Sequence, residues 1–339
     1  MSETRKLQRL GGTSLYVSLP KRWTDNTELK QGDKVTLIPQ PDSSISIYST
    51  AKQERPREIV LEVNAKDSRQ TLRRGIIAAY VDGFDIIKMK TEERLTVGQQ
   101  DIIREVTEGL FGLEVIEVTA NMITVQCLLK RTLPIEKTIQ RIHNIIMSMF
   151  SETTSALKEH DVNLIKGLTR RMHDIKRLSL VTHRLLRSLI LFPRSAEQTD
   201  VTLIDCADYQ QILYIISEIA DNVNKISETV MRLGEHALPK SVLNPLYQTC
   251  IHTQEFYDES IRVLLSKDIQ RANRLLDSTM TLENLWKLFI EANEKSKISS
   301  LTLSYAYLLM DNLKHIQQYA AEIAEVTIDR AEAEIKKAD

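Results

Sequence analysis

The sequence predicts a multidomain chain: a small all-β module, then a small α/β module of βαβαββ order, then an all-α half made of two tandem three-helix bundles. Three observations predict it. Eight of the ten glycines (Gly11, Gly12, Gly32, Gly75, Gly83, Gly98, Gly109 and Gly112) precede Leu113, leaving Gly167 and Gly234, so turn-rich structure comes first and long helix follows. Apolar residues alternate in the early strands but recur at three- and four-residue spacing in the later half. From Ile135 onward, one pattern of three helices occurs twice. With 339 residues, 42% of them hydrophobic, the chain has ample material for two or three packed domains.

The first module is placed at residues 1–50. Gly11-Gly12 makes a tight turn, after which Leu15, Val17 and Leu19 alternate with Tyr16 and Ser18 in the manner of a half-buried strand. Pro20 opens a helical turn through Lys21, Arg22 and Trp23, where its missing N–H costs little. Leu29-Lys30-Gln31-Gly32-Asp33-Lys34 turns the chain into a strand pair, Val35–Ile38 and Ile45–Tyr48, joined across Pro41-Asp42-Ser43. So short an all-β segment buries too little surface to stand alone, and a homodimer that shares its core is expected.

A polar linker at 49–57 leads to the second module, residues 57–130. Strands are predicted at Ile59–Val63, Phe84–Met89, Glu114–Val118 and Ile123–Leu128, with helices near Ser68–Val81 and Gln99–Leu110. No glycine-rich loop follows any of these strands, so no dinucleotide or P-loop site is indicated. The helical half divides into repeats at 134–235 and 240–334. The first holds helices at Ile135–Lys158, up to Leu191, and Asp205–Gly234, with a hinge at Glu159-His160-Asp161. The second holds Val242–Leu265, a helix through Ile290 and a final helix from about Lys297 to Ala333, with a hinge at Lys267-Asp268. Pro193, Pro239 and Pro245 are expected between helices. Ile212, Ile216, Ile219, Val223, Ile226, Val230 and Leu233 form a continuous stripe on the third helix, as Leu309, Leu313, Ile316, Ala320 and Ile323 do on the last.

Several function classes find no support. Cys127, Cys206 and Cys250 share no close spacing, so neither a disulfide framework nor a C-x-x-C site is available, and a reducing, cytoplasmic setting is expected. No apolar run is long enough to span a bilayer, so any action at a membrane would go through a partner. No G-x-S-x-G elbow, phosphate loop or activated cysteine is present, and the chain is read as no enzyme, with no cofactor.

The sharpest charge signal lies at the start. Arg5, Lys6, Arg9, Lys21 and Arg22 face the single acid Glu3, a net +4 in a chain whose total is −1, and a dimer doubles it on one small surface. The alternative is a solvated strand edge on which lysine blunts aggregation. The run from Arg5 to Trp23, with its basic strand, glycine turn and Leu-Pro helix start, followed by Leu29-Lys30-Gln31-Gly32-Asp33-Lys34-Val35, resembles the AbrB/SpoVT/MazE swapped-hairpin DNA-binding domain over roughly residues 3–49. The resemblance implies an interwoven homodimer in which Arg5, Lys6, Arg9, Lys21 and Arg22 are charged DNA contacts and Thr13 and Ser14 are loop contacts.

The helical half, about 134–333, resembles PhoU, the regulator of phosphate uptake, around Val223-Asn224-Lys225-Ile226-Ser227-Glu228 and Leu313-Lys314-His315-Ile316-Gln317-Gln318. In that family these stretches carry an E-x-x-x-D pair whose carboxylates face a metal cluster. Here the positions hold Asn224 and Glu228 in one repeat and Lys314 and Gln318 in the other, and the preceding helix offers Arg170, Arg171, Lys176 and Arg177 where acids are needed. A lone carboxylate and an ammonium oppose a hard or borderline cation, so no metal is expected.

Residues 166–187 hold Lys166, Arg170, Arg171, Lys176, Arg177, Arg184 and Arg187 against Asp174, and the next helix is acidic, with Asp205, Asp208, Glu218, Asp221, Glu228 and Glu235. Pairing between these two helices is one reading, and an anion-sensing or partner-docking face at Arg170, Arg171, Lys176 and Arg177 is the other. His173 and His183 read as surface or partly buried histidines. The resulting expectation is a DNA-binding regulator of phosphate uptake with the bundle as signal receiver. The alternative is an interaction protein that docks a phosphate transporter or sensor kinase and uses the hairpin for dimerisation or as an antitoxin-like module.

Overall fold

The computed structural model describes residues 3–10, 14–39, 43–49, 56–129, 134–192, 201–234, 238–294 and 298–338. The chain forms two compact units, Met1–Arg57 and Glu58–Asp339.

In the first unit, β1 (Gln8–Leu10) and β2 (Ser14–Tyr16) pair antiparallel with Arg9 opposite Leu15, and β3 (Val35–Pro39) pairs antiparallel with β4 (Ile45–Ser49). The strand expected through Leu19 stops at Tyr16. Pro20 fixes the chain there, and its carbonyl accepts from the Trp23 and Thr24 N–H groups to start α1 (Lys21–Asn26). The turn before β3 is held by Asp33, whose carboxylate accepts from the Lys30 N–H at 2.7 Å, and by Gly32 at φ +97°. No described side chain of this unit is buried, and Leu7, Leu15, Leu37 and Ile45 are each about 60% exposed. Gly11, Gly12, Thr13, Pro41 and Asp42 lie outside the described residues.

The second unit begins with a four-stranded sheet in the order β5-β6-β8-β7. β5 (Glu58–Glu62) runs parallel to β6 (Ile86–Lys90), while β8 (Met122–Cys127) runs antiparallel to both β6 and β7 (Leu113–Val118). Helices α2 (Arg69–Val81) and α3 (Val97–Glu108) are started by side-chain caps, Ser68 accepting from Thr71 N–H and a reciprocal Thr96/Gln99 box. Their apolar faces meet one side of the sheet, where Ile76, Tyr80, Ile87, Met89, Ile103 and Ile123 are fully buried.

The rest is helical: α4 (Ile135–Glu159), a 3-10 turn (Val162–Ile165), α5 (Leu168–Leu191), α6 (Leu203–Leu233), α7 (Lys240–Ser266), α8 (Ile269–Asp277), α9 (Thr279–Glu294) and α10 (Ser300–Ala338). The two triplets repeat one device at their first corner. His160 and Lys267 both adopt the left-handed conformation, at φ 57° and 55°, and the next residue, Asp161 or Asp268, accepts a backbone N–H to start the following turn. Pro245, expected between helices, lies inside α7. It is the sixth residue of that helix, and the carbonyl position it deprives belongs to Ser241, an exposed residue of the first turn. The second helix of the second triplet is split at Ser278 into α8 and α9. All seven stripe residues of α6 and all five of α10 are buried in one core that runs through both triplets.

Candidate functional site

The basic helix α5 faces the α/β module. Helix α2 ends at Val81, and its last carbonyls accept from the N–H groups that follow, Ala78 O from Asp82, Ala79 O from Phe84 and Tyr80 O from Gly83. Arg184, buried on α5, adds donors from outside the helix: its Nη1 donates to Tyr80 O at 2.6 Å and to Phe84 O, just past α2, at 2.9 Å, and its Nη2 to Asp85 Oδ1 at 3.2 Å. Its guanidinium also stacks on the Tyr80 ring at 5.0 Å. One turn on, Arg187 pairs with Asp82 at 2.7 Å. Two turns back, Arg177 lies over the Phe111 ring at 4.4 Å, and Leu180 packs on the α/β core. Burial pushes the Tyr80 hydroxyl far up, so it stays protonated and donates to Phe111 O at 2.9 Å.

A cleft of about 40 Å³ opens beside this seam, lined on α5 by His173, Lys176 and Arg177 and on the α/β side chiefly by Arg73 and Gly109. No acidic residue lines it. Arg73 is held by Glu105 at 3.0 Å, which also accepts from Arg69. The Arg177 Nε is buried without a hydrogen-bond partner.

The four residues expected as one basic face therefore separate. Lys176 and Arg177 share the cleft, Arg170 is exposed outside it, and Arg171 turns to α4, donating to Glu152 at 2.8 Å and Ser148 at 3.1 Å. The expected pairing of α5 with the acids of α6 is corrected. Among the described residues no ion pair joins those helices, because α5 spends its arginines on Glu152, Asp82 and Asp85. Glu235 lies outside the described residues.

Asp205 and Asp208 of α6 instead meet Arg330 of α10, which is 6% exposed: Nη2 donates to Asp205 at 3.0 Å, Nε lies 3.6 Å from Asp208, and the guanidinium stacks on Tyr209 at 4.3 Å. Tyr209 in turn donates to Glu136 on α4. Burial alone would lift the Asp205 carboxyl, but hydrogen bonds from Thr202 and Arg330 hold it below its ordinary range; burial dominates at Asp208 and raises it. Between the first helices of the two triplets, buried His143 meets Asp258 through Nε2 at 3.0 Å, Asp258 pairs with Arg262 at 2.7 Å, and burial lowers the imidazole pKa.

At the positions compared above with a metal motif, the Asn224 amide donates to Glu228 at 2.8 Å, the Lys314 ammonium lies 5.8 Å from the Trp286 ring, and Gln318 is exposed. Among the described residues no three His, Cys, Asp or Glu side chains are grouped to hold a metal ion.

In the first unit Arg5, Lys6, Arg9, Lys21 and Arg22 are all exposed, with Arg5 paired to Glu3. Thr13 falls outside the described residues, and Ser14 is described only as the first residue of β2. Sequence reasoning did not single out Arg73, Arg184 or Arg330 as site residues. Arg184 and Arg73 bind across about a hundred residues or belong to a neighbouring module, and no local spacing marks such contacts.

Among the described residues no helix is long and apolar enough to cross a membrane. No curated protein matches the chain. Among solved structures, the chain is similar to the phosphate transport system regulatory protein PhoU from Streptococcus pneumoniae, with 15% identity over 57% of this chain and 91% of that one and a TM-score of 0.48. It is similar also to PhoU from Pseudomonas aeruginosa, with 14% identity, 57% and 93% coverage and a TM-score of 0.46. The family model that matches is the PhoU domain, over residues 139–230, which run from the first turns of α4 to the last turn of α6 and so take in nearly all of the first helical triplet.

Proposed function

We propose that this chain is a PhoU-like regulator of phosphate transport that works by binding partners, with the helical bundle as the receiving module. The observation that carries this reading is the PhoU domain match over 139–230, which falls on the triplet whose α5 is locked to the α/β module. A ligand or partner protein that favours one arrangement of the bundle shifts its population, and the shift is passed on by whatever is rigidly attached. Phosphate-transport or signalling proteins in the cytoplasm are the partners proposed. The test is phosphate uptake in cells that lack the protein: uptake should stay high in phosphate-rich medium and fall again when the full chain is restored. Unchanged uptake in the deleted cells would refute the reading.

A second reading, transcriptional control, rests on the first unit. Five exposed basic residues sit on a unit with no buried described side chain, which fits an AbrB-like homodimer that completes its core on a second copy and presents a basic face to DNA. Affinity for its own promoter should then fall steeply with salt and be lost in Arg9→Ala/Lys21→Ala while the dimer persists. Absence of salt-sensitive DNA binding would leave the hairpin as a dimerisation module only.

A further inference from the structure

We propose that the cleft between α2, α3 and α5 binds a phosphate group, either as inorganic phosphate or as the phosphomonoester of a small metabolite. The role assigned to it, a signal received by the bundle, rests on the function proposed above; its existence as a site does not.

The lining brings together Arg73, Lys176 and Arg177, with His173 beside Gly109, and holds no carboxylate. Arg73 is paired with Glu105, but Lys176 and Arg177 have no ion pair among the described residues, and neighbouring cations left without an acid suit an anion that comes from outside. Two donors are unpaired. Arg177 Nε is buried and makes no hydrogen bond, and Lys176 is exposed and takes part in none of the hydrogen bonds or ion pairs of the described residues.

The C-terminal end of α3 also lies here and attracts cations. It does not need them as caps, since Glu105 O and Thr107 O already accept from the Gly109 and Leu110 N–H groups at 3.1 Å. Arg177 is fixed over Phe111 and Arg73 is held by Glu105, so two of the cations are oriented before any ligand arrives. Space agrees with the chemistry. A cleft of about 40 Å³ takes roughly three waters, the room of one phosphoryl group, and not a nucleobase. Its open side leaves the rest of a phosphomonoester in solvent.

The site also has a consequence for the fold. Arg177 and Arg184 lie on one helix, two turns apart, and both face the α/β module. An anion that draws Arg73 of α2 and Lys176 of α5 toward one point tightens the seam that Arg184 already closes.

The experiment is calorimetric titration of the full-length protein with inorganic phosphate, and in parallel with glycerol phosphate, at constant ionic strength with sodium chloride as the replaced salt. Saturable binding of one phosphate per chain is expected, weakened at least tenfold by Lys176→Ala and abolished by Lys176→Glu, while Lys225→Glu, an equal charge change on exposed α6 surface, leaves it unchanged. Arg73→Gln provides a second variant from the opposite wall and should weaken binding similarly. Binding of both ligands identifies a phosphomonoester site, and binding of phosphate alone a site for the free ion. No saturable binding at millimolar phosphate, or equal affinity in Lys176→Glu and the unmodified chain, overturns the proposal. Binding lost in Lys176→Glu, in a protein whose deletion leaves phosphate uptake unchanged, would keep the site and remove only its assigned role.

Discussion

Arg184→Ala tests the seam directly. The side chain is 7% exposed and makes three charge-assisted bonds, one to the Tyr80 carbonyl in the last turn of α2, one to the Phe84 carbonyl just beyond it and one to Asp85. Breaking a buried pair by removing one partner costs about 3–5 kcal/mol. Two features place this case at the low end: Tyr80 O keeps a second donor, the Gly83 N–H at 3.1 Å, and Asp85 is 20% exposed and can draw on water. A loss of about 3 kcal/mol corresponds to a rise on the order of 100-fold in local opening. Amide hydrogen exchange in the full chain should show it at Tyr80 to Asp85, where α2 ends, with smaller changes in α6. Arg187→Ala is the control, because its pair with Asp82 is half-exposed on both sides and is worth under about 1 kcal/mol. Unchanged exchange at Tyr80 to Asp85 in Arg184→Ala, or equal effects of the two variants, would refute the claim that Arg184 holds the modules together.

Acid should act through Asp205. Its folded-state pKa lies below the unfolded value of about 3.9, so its contribution is complete above that pH and is lost as pH falls through the depressed value. Asp205→Asn should therefore flatten the fall in thermal midpoint below about pH 4, and a profile parallel to the unmodified chain would count against it. His143 acts at milder pH. Burial lowers its folded pKa below about 6.5, so unfolded chains bind the proton more readily and stability declines as pH drops below that value. Urea midpoints of His143→Gln should lack this part of the decline between about pH 7 and pH 5. Gly112→Ala should cost about 2–3 kcal/mol in urea unfolding, because φ is +70° and the new Cβ would lie 2.3 Å from Leu129 Cγ. Gly167→Ala, at φ +98° with open space around it, should cost only the backbone share of about 1–2 kcal/mol.

Periodicity made the helical half legible. The stripe from Ile212 to Leu233 is buried throughout, and the helix breaks at His160-Asp161 and Lys267-Asp268 fall within the expected hinges, where the structure adds an aspartate cap to each. The βαβαββ order followed from short apolar strands alternating with helical segments. What failed did so for stated physical reasons. Alternation through Leu19 lost to Pro20, which starts a helix, and Pro245 was compatible with a helix because it sits near the helix start and deprives only the carbonyl of exposed Ser241. The seam was the least legible part. Arg184 was visible as a charge on a basic helix, but two of its partners are backbone carbonyls about a hundred residues away, and carbonyls have no sequence signature. The same limit hid Arg330, whose partners Asp205 and Asp208 pointed equally well to the adjacent basic helix.

The buried arginines bear on how a signal could travel. A buried ion pair adds little net stability, since desolvation offsets most of its attraction, but it penalises every arrangement in which the charge is left alone. Sliding α5 by one turn against the α/β module would bring Leu180 or Ser188 toward the end of α2 and leave Asp85 and the Tyr80 and Phe84 carbonyls without the guanidinium. The helix is thus fixed in register at Arg184. Arg177, seven residues earlier, is about 10 Å away along the same rigid rod, and Arg171 reaches Glu152 on α4 another turn and a half beyond. An anion held at Arg177 and Lys176 therefore acts on a helix that cannot slip at one end and is tied to the bundle at the other. Under these constraints its effect is to change how tightly the two modules are held rather than to move one past the other. Phosphate should accordingly slow hydrogen exchange along the α2–α5 seam while leaving exchange near Arg330, at the α6–α10 contact, unaltered. Equal slowing at both places would mean that the ligand stiffens the whole bundle and that α5 is not the element that carries the effect.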